Sequence, residues 1–291
     1  MPIWIAVILL GIIEGITEFL PVSSTGHLLI AEYWLPRQSD LFNVVIQCGA
    51  VLAVIPLFRE RFRQFLFEWR KPATRDYAFK LILGFVITGA GGFLMKKAGF
   101  KLPEKLAPVA IALLVGGIGF VIVERWLRKR TLRDEVTWTI AVAVGFAQLL
   151  AAYFPGTSRS GACILFCLML GLNRPAATEF SFLVGIPTML AAGGLQIFEA
   201  LHRPAPGAAP ERWDLVLLSS LVAAVVSFVA VKWLLHYVQT HTFTAFGWYR
   251  IALAAFVGVL LLQGAPAQPE PPPGPHTASV APLLDSPVKA R

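Results

Sequence analysis

Six stretches of about twenty apolar residues, each nearly free of charge, leave this chain few folds to choose from. They run over roughly 41–58, 77–95, 106–124, 177–197, 214–235 and 245–263. A helix needs about 20 such residues to cross the ~30 Å hydrocarbon core of a bilayer. Lipid also forbids open backbone, so a spanning segment of this kind must satisfy its own N–H and C=O groups as a helix. The expected fold class is an all-α polytopic membrane protein. Charge content decides the point: Asp, Glu, Lys and Arg make up 14% of the 291 residues and hydrophobic residues 56%. Soluble domains carry about a quarter charged residues. The start Met1-Pro2-Ile3-Trp4 has no basic region and no small-residue cleavage site after it, so a removable signal peptide is not expected. A net charge of +8 would point a soluble chain toward nucleic acid. Here the Lys and Arg residues sit mainly in loops between apolar segments, which reads as topological signal and lipid-surface contact. No nucleic-acid partner is expected. Cys48, Cys163 and Cys167 all lie in apolar stretches. Without His or carboxylate neighbours, Cys163 and Cys167 make a poor metal site, and all three read as small buried hydrophobes.

Two further regions do not behave as simple spans. One runs from Ile3 to Leu35 and the other from Val136 to Leu172. Each begins with a long apolar stretch and breaks at a polar loop, PVSSTGH at 21–27 and PGTSRSG at 155–161. Each then resumes with about ten apolar residues, too few to cross. The two regions look like copies. Gly11 and Glu14 stand before Pro21 as Gly145 and Gln148 stand before Pro155, and each loop ends in a glycine, Gly26 or Gly161. Three spans follow each copy. If both regions dip in and return, the odd number of spans between them inverts the second copy, the plan in which broken helices meet near the membrane midplane. The expected domain is 1–263, with repeat one at about 1–124 and repeat two at about 136–263. The basic loops 59–75 and 125–135 then fall on one side, cytoplasmic by the positive-inside rule. Loop 198–213 and both termini fall outside. Loop 96–105, also outside, fits less well, because it carries Lys96, Lys97, Lys101 and Lys105. The Pro- and Ala-rich stretch 264–291 cannot build a packed core and is expected to be a disordered tail.

Glu14 and Glu18 are the only charged residues between Met1 and His27. Four residues apart on a helical stretch, they share a face. Ionisable groups inside a membrane segment are expensive and usually face a cavity or a partner. The pair suits a hard divalent cation, Mg²⁺ or Ca²⁺, or a general base beside a like charge. Helix anchoring at the interface is the plain alternative. Pro21 stops the helix, and Ser23, Ser24, Thr25, Gly26 and His27 follow. Irregular backbone at this depth implies a polar cavity. A serine or histidine near a base is the pattern of an activated nucleophile, while capping and turn formation explain the same hydroxyls more simply. The second loop supplies the opposite sign. Gly156, Thr157, Ser158, Ser160 and Gly161 offer successive amides ahead of a helix, an anion site, and Arg159 adds a fork that matches phosphate oxygens. A salt bridge from Arg159 to Glu14 or Glu18 is the compatible alternative. Carboxylates, hydroxyls and His in one loop and an Arg cradle in the other favour phosphoryl chemistry, where positioning and charge stabilisation dominate. The membrane setting favours a lipid-linked substrate.

The stretch GIIEGITEFLPVSSTGH at 11–27, with PGTSRSG at 155–161, resembles the two signature motifs of the undecaprenyl-diphosphate phosphatases, also known as the bacitracin-resistance proteins. The resemblance extends over about residues 1–263. It implies six spans and two re-entrant helical hairpins, dependence on a divalent metal, and an active site open to the outer face of the bacterial plasma membrane. The implied reaction is hydrolysis of a polyprenyl diphosphate to the monophosphate, which recycles the lipid carrier for cell-wall synthesis. By this resemblance Glu14 and Glu18 are the acidic pair, Ser24 and His27 act at the phosphate, and Arg159 holds the diphosphate. Expected partners are the lipid substrate and the membrane, with a homodimer left open. Inverted repeats with broken helices also build transporters, so a flippase or anion carrier is the competing class. Ser24 is the candidate nucleophile, with His27 or a water as the other two.

Overall fold

The computed structural model describes residues 1–99, 106–202 and 211–263. The tail 264–291 and parts of the loops at 96–105 and 198–213 lie outside the described residues, and with them the expectation of tail disorder. In chain order the elements are α1 (Ile3–Thr17), α2 (Ser24–Ala31), α3 (Asp40–Val54), a 3-10 turn (Ile55–Phe58), α4 (Arg59–Phe67), α5 (Pro72–Lys97), α6 (Leu106–Leu127), α7 (Trp138–Tyr153), α8 (Arg159–Met169), α9 (Arg174–His202), α10 (Trp213–Tyr237) and α11 (Thr244–Leu262). Among the described residues there is no strand, only one isolated bridge between Arg133 and Leu172.

Six helical stretches are long and apolar enough to cross a membrane: Asp40–Phe67, Pro72–Met95, Leu106–Leu127, Arg174–His202, Trp213–Tyr237 and Thr244–Leu262. They coincide with the six expected spans but run past them at several ends. The reading by hydropathy stops at the first Arg or Lys, whereas the helix does not, because these long side chains are good helix formers outside lipid. Thus the basic segment 59–75, expected as a loop, is helical to Phe67 and again from Pro72. Proline at that start already has the helical φ and gives up an amide with no intrahelical partner.

The short helices come in two pairs. Leu28 in α2 packs in one cluster with Val7 and Leu10 of α1, Phe42 and Ile46 of α3, and Leu215 and Val216 of α10. The chain therefore returns along α2 to the end at which α1 began. At that same end Ser39 Oγ donates to Glu211 at 2.8 Å. The pair α7 and α8 closes at the other end. Arg133 N donates to Gly171 O and Asn173 N to Arg133 O, both at 2.9 Å, so the chain leaves α8 where it entered α7. The basic segments 59–75 and 125–135 meet there too. Arg61, Lys71, Asp134 and Glu135 line one polar hollow, and Arg61 pairs with Glu179 of α9. Glu124 of α6 lies close by in sequence. It is buried, takes both Arg174 Nε and Nη2, and accepts Phe243 N–H at 2.8 Å, tying α6, α9 and the start of α11.

Small residues hold the short helices in place. Ser219 and Ser227 of α10 donate to Val7 O and Gly15 O of α1 at 2.8 and 3.0 Å. Thr88 of α5 lies 3.2 Å from Gly145 O of α7. In lipid no hydrophobic force drives helix to helix, so close backbone approach and interhelical hydrogen bonds do that work. The α6 and α11 backbones approach closely at Gly117 and Gly247, where a side-chain Cβ on Gly117 would lie 2.7 Å from Gly247 O.

Candidate active site

The two interrupted helix pairs bring their loops face to face. α1 ends at Thr17, with Glu18 still helical as its C-cap. Ser23 then takes φ 74° and Ser158 takes φ 67°. Such angles cost a non-glycine residue about 1–3 kcal/mol and persist only where the surroundings dictate them. In each loop that serine is the N-cap of the next helix, its Oγ accepting Gly26 N–H at 3.3 Å or Gly161 N–H at 3.1 Å. The capping role expected for the first-loop hydroxyls is therefore real at Ser23, Ser158 repeats it in the second loop, and the next residue, Ser24 or Arg159, stands at a helix start. Gly156 has φ +92°, and a Cβ there would meet Val109 O at 2.7 Å, so only glycine lets this loop lie against α6.

Between the loops, Ser24 Oγ donates to Glu18 Oε2 at 2.6 Å, and Arg159 Nη2 donates to the other oxygen, Oε1, at 3.2 Å. The Ser160 hydroxyl lies 3.3 Å from Glu18 O and 3.2 Å from Leu20 O, stitching the second loop to the first. The Arg159–Glu18 salt bridge weighed from sequence is thus present. It leaves Arg159 Nε and Nη1 buried with no hydrogen-bond partner, two donors free for an anion. Gly185 of α9 makes space for that guanidinium, because a Cβ there would collide with Arg159 Nη1. A cavity of about 170 Å³ opens at this point. Of the expected site residues it is lined by Glu18, Ser23, Ser24, Thr25, Gly156, Ser158 and Arg159. Thr157 and Gly161 face instead an apolar groove of about 540 Å³ with Ile111, Val115, Leu150 and Phe154.

His27 is not brought to the cavity. Its Nδ1 lies 2.7 Å from Ser23 O and its Nε2 lies 2.6 Å from the Tyr249 hydroxyl. A carbonyl can only accept, so Nδ1 carries the proton and Nε2 accepts from Tyr249. Glu14 lies one turn before Glu18, fully buried, and both of its carboxylate oxygens lack a hydrogen-bond partner. Among the described residues no three His, Cys, Asp or Glu side chains gather as a closed metal cage. Two adjacent acidic side chains, one wholly unsatisfied, fit a hard divalent cation.

Sequence reasoning missed several residues. Gln47, Thr88, Gln148 and Thr188 also line the cavity, with Gln148 Nε2 donating to Thr88 at 2.8 Å. Gln148 is the repeat counterpart of Glu14, and the spacing alone assigns it no role. Tyr249 and Arg250 lie within an apolar span, and a charge there is itself a flag for function.

A family model described as "Bacitracin resistance protein BacA" matches residues 7–256. The chain is 51% identical over 255 residues to an undecaprenyl-diphosphatase of Rhizobium etli (strain CIAT 652), covering 87% of this chain and 94% of the relative. It is 50% identical over 256 residues to one of Rhizobium leguminosarum bv. trifolii, with the same coverage. To one of Xanthomonas euvesicatoria pv. vesicatoria it is 48% identical over 252 residues, covering 86% and 94%.

Proposed function

The chain belongs to the bacitracin resistance protein BacA family, and from that premise we propose that it hydrolyses undecaprenyl diphosphate to undecaprenyl monophosphate and inorganic phosphate. It is a multi-pass membrane enzyme. The activity returns lipid carrier to cell-wall synthesis and gives resistance to bacitracin. The observation that carries the reading is the Ser24–Glu18–Arg159 contact, in which a hydroxyl, a base and a phosphate-matching fork converge on one cavity. Carriage of a lipid or an anion needs the fork but not the hydroxyl hydrogen-bonded to a carboxylate. The apolar groove on the far side of the PGTSRSG loop supports a lipid-linked substrate.

Arg159, whose Nε and Nη1 have no partner beside its Glu18 contact, donates to the terminal phosphoryl oxygens and holds the group over Ser24. Ser24 Oγ attacks the terminal phosphorus as its proton passes to Glu18 Oε2. The bond from that phosphorus to the bridging oxygen breaks, and the lipid monophosphate departs with the electron pair. Water then adds to the phosphoserine. The Oγ–P bond breaks, Oγ recovers the proton held by Glu18, and phosphate leaves with the hydrogens of the water. Proximity and charge complementarity account for most of the acceleration in chemistry of this kind. Glu14 and Glu18 would hold a divalent cation, Mg²⁺ or Ca²⁺, which neutralises diphosphate charge when bound. His27 orients the first loop through the Ser23 carbonyl.

Both helix pairs are re-entrant in this reading, inverted relative to each other, and the cavity opens to the outer face of the bacterial inner membrane. The packing of α2 back along α1 and the Arg133–Leu172 closure support the hairpins, and the basic segments 59–75 and 125–135 at the opposite end support the orientation by the positive-inside rule. Phosphate release from detergent-solubilised protein tests the activity. Polyprenyl diphosphate with Mg²⁺ or Ca²⁺ should yield one phosphate per lipid monophosphate. No release, with lipid or anion movement in proteoliposomes, would replace the enzyme with a carrier.

A further inference from the structure

A further charged group near the loops is Arg250, on α11. Its side chain is fully buried, and among the described residues no carboxylate pairs with it. All its hydrogen bonds go to main-chain carbonyls. Nη1 donates to Pro21 O at 3.2 Å, in the first loop. Nη2 lies 3.2 Å from Gly156 O and 2.9 Å from Thr157 O, in the second loop, and 3.1 Å from Ala112 O of α6. Nε donates to Leu113 O at 3.4 Å, one residue further along α6. Pro21 lies three residues before Ser24, and Thr157 two before Arg159. One cation thus spans the two segments whose side chains meet at Glu18.

We infer that Arg250 is a positioning residue for the phosphoryl transfer, pinning the Ser24 loop and the Arg159 loop to each other through their carbonyls. Backbone at the end of a broken helix has unsatisfied oxygens, and in a membrane no bulk water takes them up. A planar fork with five donors can serve carbonyls on three segments at once, whereas the three donors of a lysine radiate from one point. α6 is shaped for this group: a Cβ on Gly116 would collide with Arg250 Nη2. Arg250 touches neither Ser24 nor Glu18 in the hydrogen-bond network, so its effect on turnover is indirect. It sets the distance between nucleophile and clamp.

The test reads loop geometry and turnover separately, because the kinetic part rests on the phosphatase reading and the geometric part does not. Purified Arg250→Lys should show faster amide hydrogen exchange in residues 21–26 and 156–161 together, with the rest of the protein and the thermal midpoint little changed. Its kcat per folded molecule should fall about 100-fold, the loss expected of a displacement near 1 Å, with KM within about threefold. Wild-type exchange in both loops would overturn the inference. So would a uniform rise in exchange with normal kcat per folded molecule, which describes a general core residue. If Arg250→Lys does not fold, Gly116→Ala displaces the guanidinium while removing no hydrogen-bonding group. The same paired change is expected, and normal loops with normal kcat would again overturn the role. Loops loosened as described in Arg250→Lys, together with a wild-type protein that releases no phosphate, would sink the phosphatase reading and leave the positioning intact.

Discussion

Arg159 and Glu18 concentrate the chemistry at the residue scale. The guanidinium spends one nitrogen on Glu18 and keeps two buried donors uncommitted. Lysine would preserve the charge but not the fork, so Arg159→Lys should lower kcat/KM by at least about 100-fold, near the loss for one transition-state donor. Near-normal turnover would reduce Arg159 to a counter-charge for Glu18. Ser24 makes the sharper case. Its 2.6 Å hydrogen bond to Glu18 is the geometry of an activated nucleophile, but a water held by Glu18 would need the same carboxylate. Rapid acid quench with labelled diphosphate should trap phosphate on Ser24. Solvent ¹⁸O entering the phosphate in a single turnover without an adduct would make water the nucleophile. An adduct on His27 would require the imidazole to leave Ser23 and Tyr249, its partners here.

Glycine and serine stripes position the elements, and through them the site. α1 lies against α10 at Gly11 and Gly15. A Cβ on Gly15 would come within 2.8 Å of Ala223 O and 2.7 Å of Val226 Cβ. Backbone cannot swing aside, so α1 must move. Gly15→Ala should destabilise the fold by about 1–3 kcal/mol, the usual range for overpacking, seen as a lower thermal midpoint in detergent. Because Glu18 sits one turn further on, activity per folded molecule should fall as well. A variant with a wild-type midpoint and turnover would show that α1 slides freely on α10, contrary to the serine contacts. The short helices need this anchoring because α1, at 15 residues, is about 22 Å long at ~1.5 Å per residue. That is shorter than the ~30 Å hydrocarbon core of a bilayer.

For the whole molecule, the question is which end faces the cytoplasm. The basic segments 59–75 and 125–135 share one end with Arg174 and Glu179, and Ser39 and Glu211 share the other. Cysteines placed in a variant lacking Cys48, Cys163 and Cys167 can report this. In intact cells Gln38→Cys should react with an impermeant thiol reagent, and Thr131→Cys should stay protected until the cells are opened. The reverse pattern would invert the topology, and equal labelling of both would break the parity count. Much of this was legible in the sequence, since hydropathy and loop charge act locally: a run of twenty apolar residues is a span whatever its neighbours do. The two loops were legible for the same reason, because Pro21 and Pro155 end helices and membrane segments rarely spend Glu, Ser and Arg without use. The tertiary structure alone decided which of those groups meet. It placed Ser24 and Arg159 on opposite oxygens of Glu18, turned His27 away to Tyr249, left Glu14 unsatisfied, and brought Arg250 from 229 residues beyond Pro21 to hold both loops. Contacts between remote segments depend on how helices pack, and packing in lipid is set by shape at glycines and serines, which no pattern of polarity along the chain encodes.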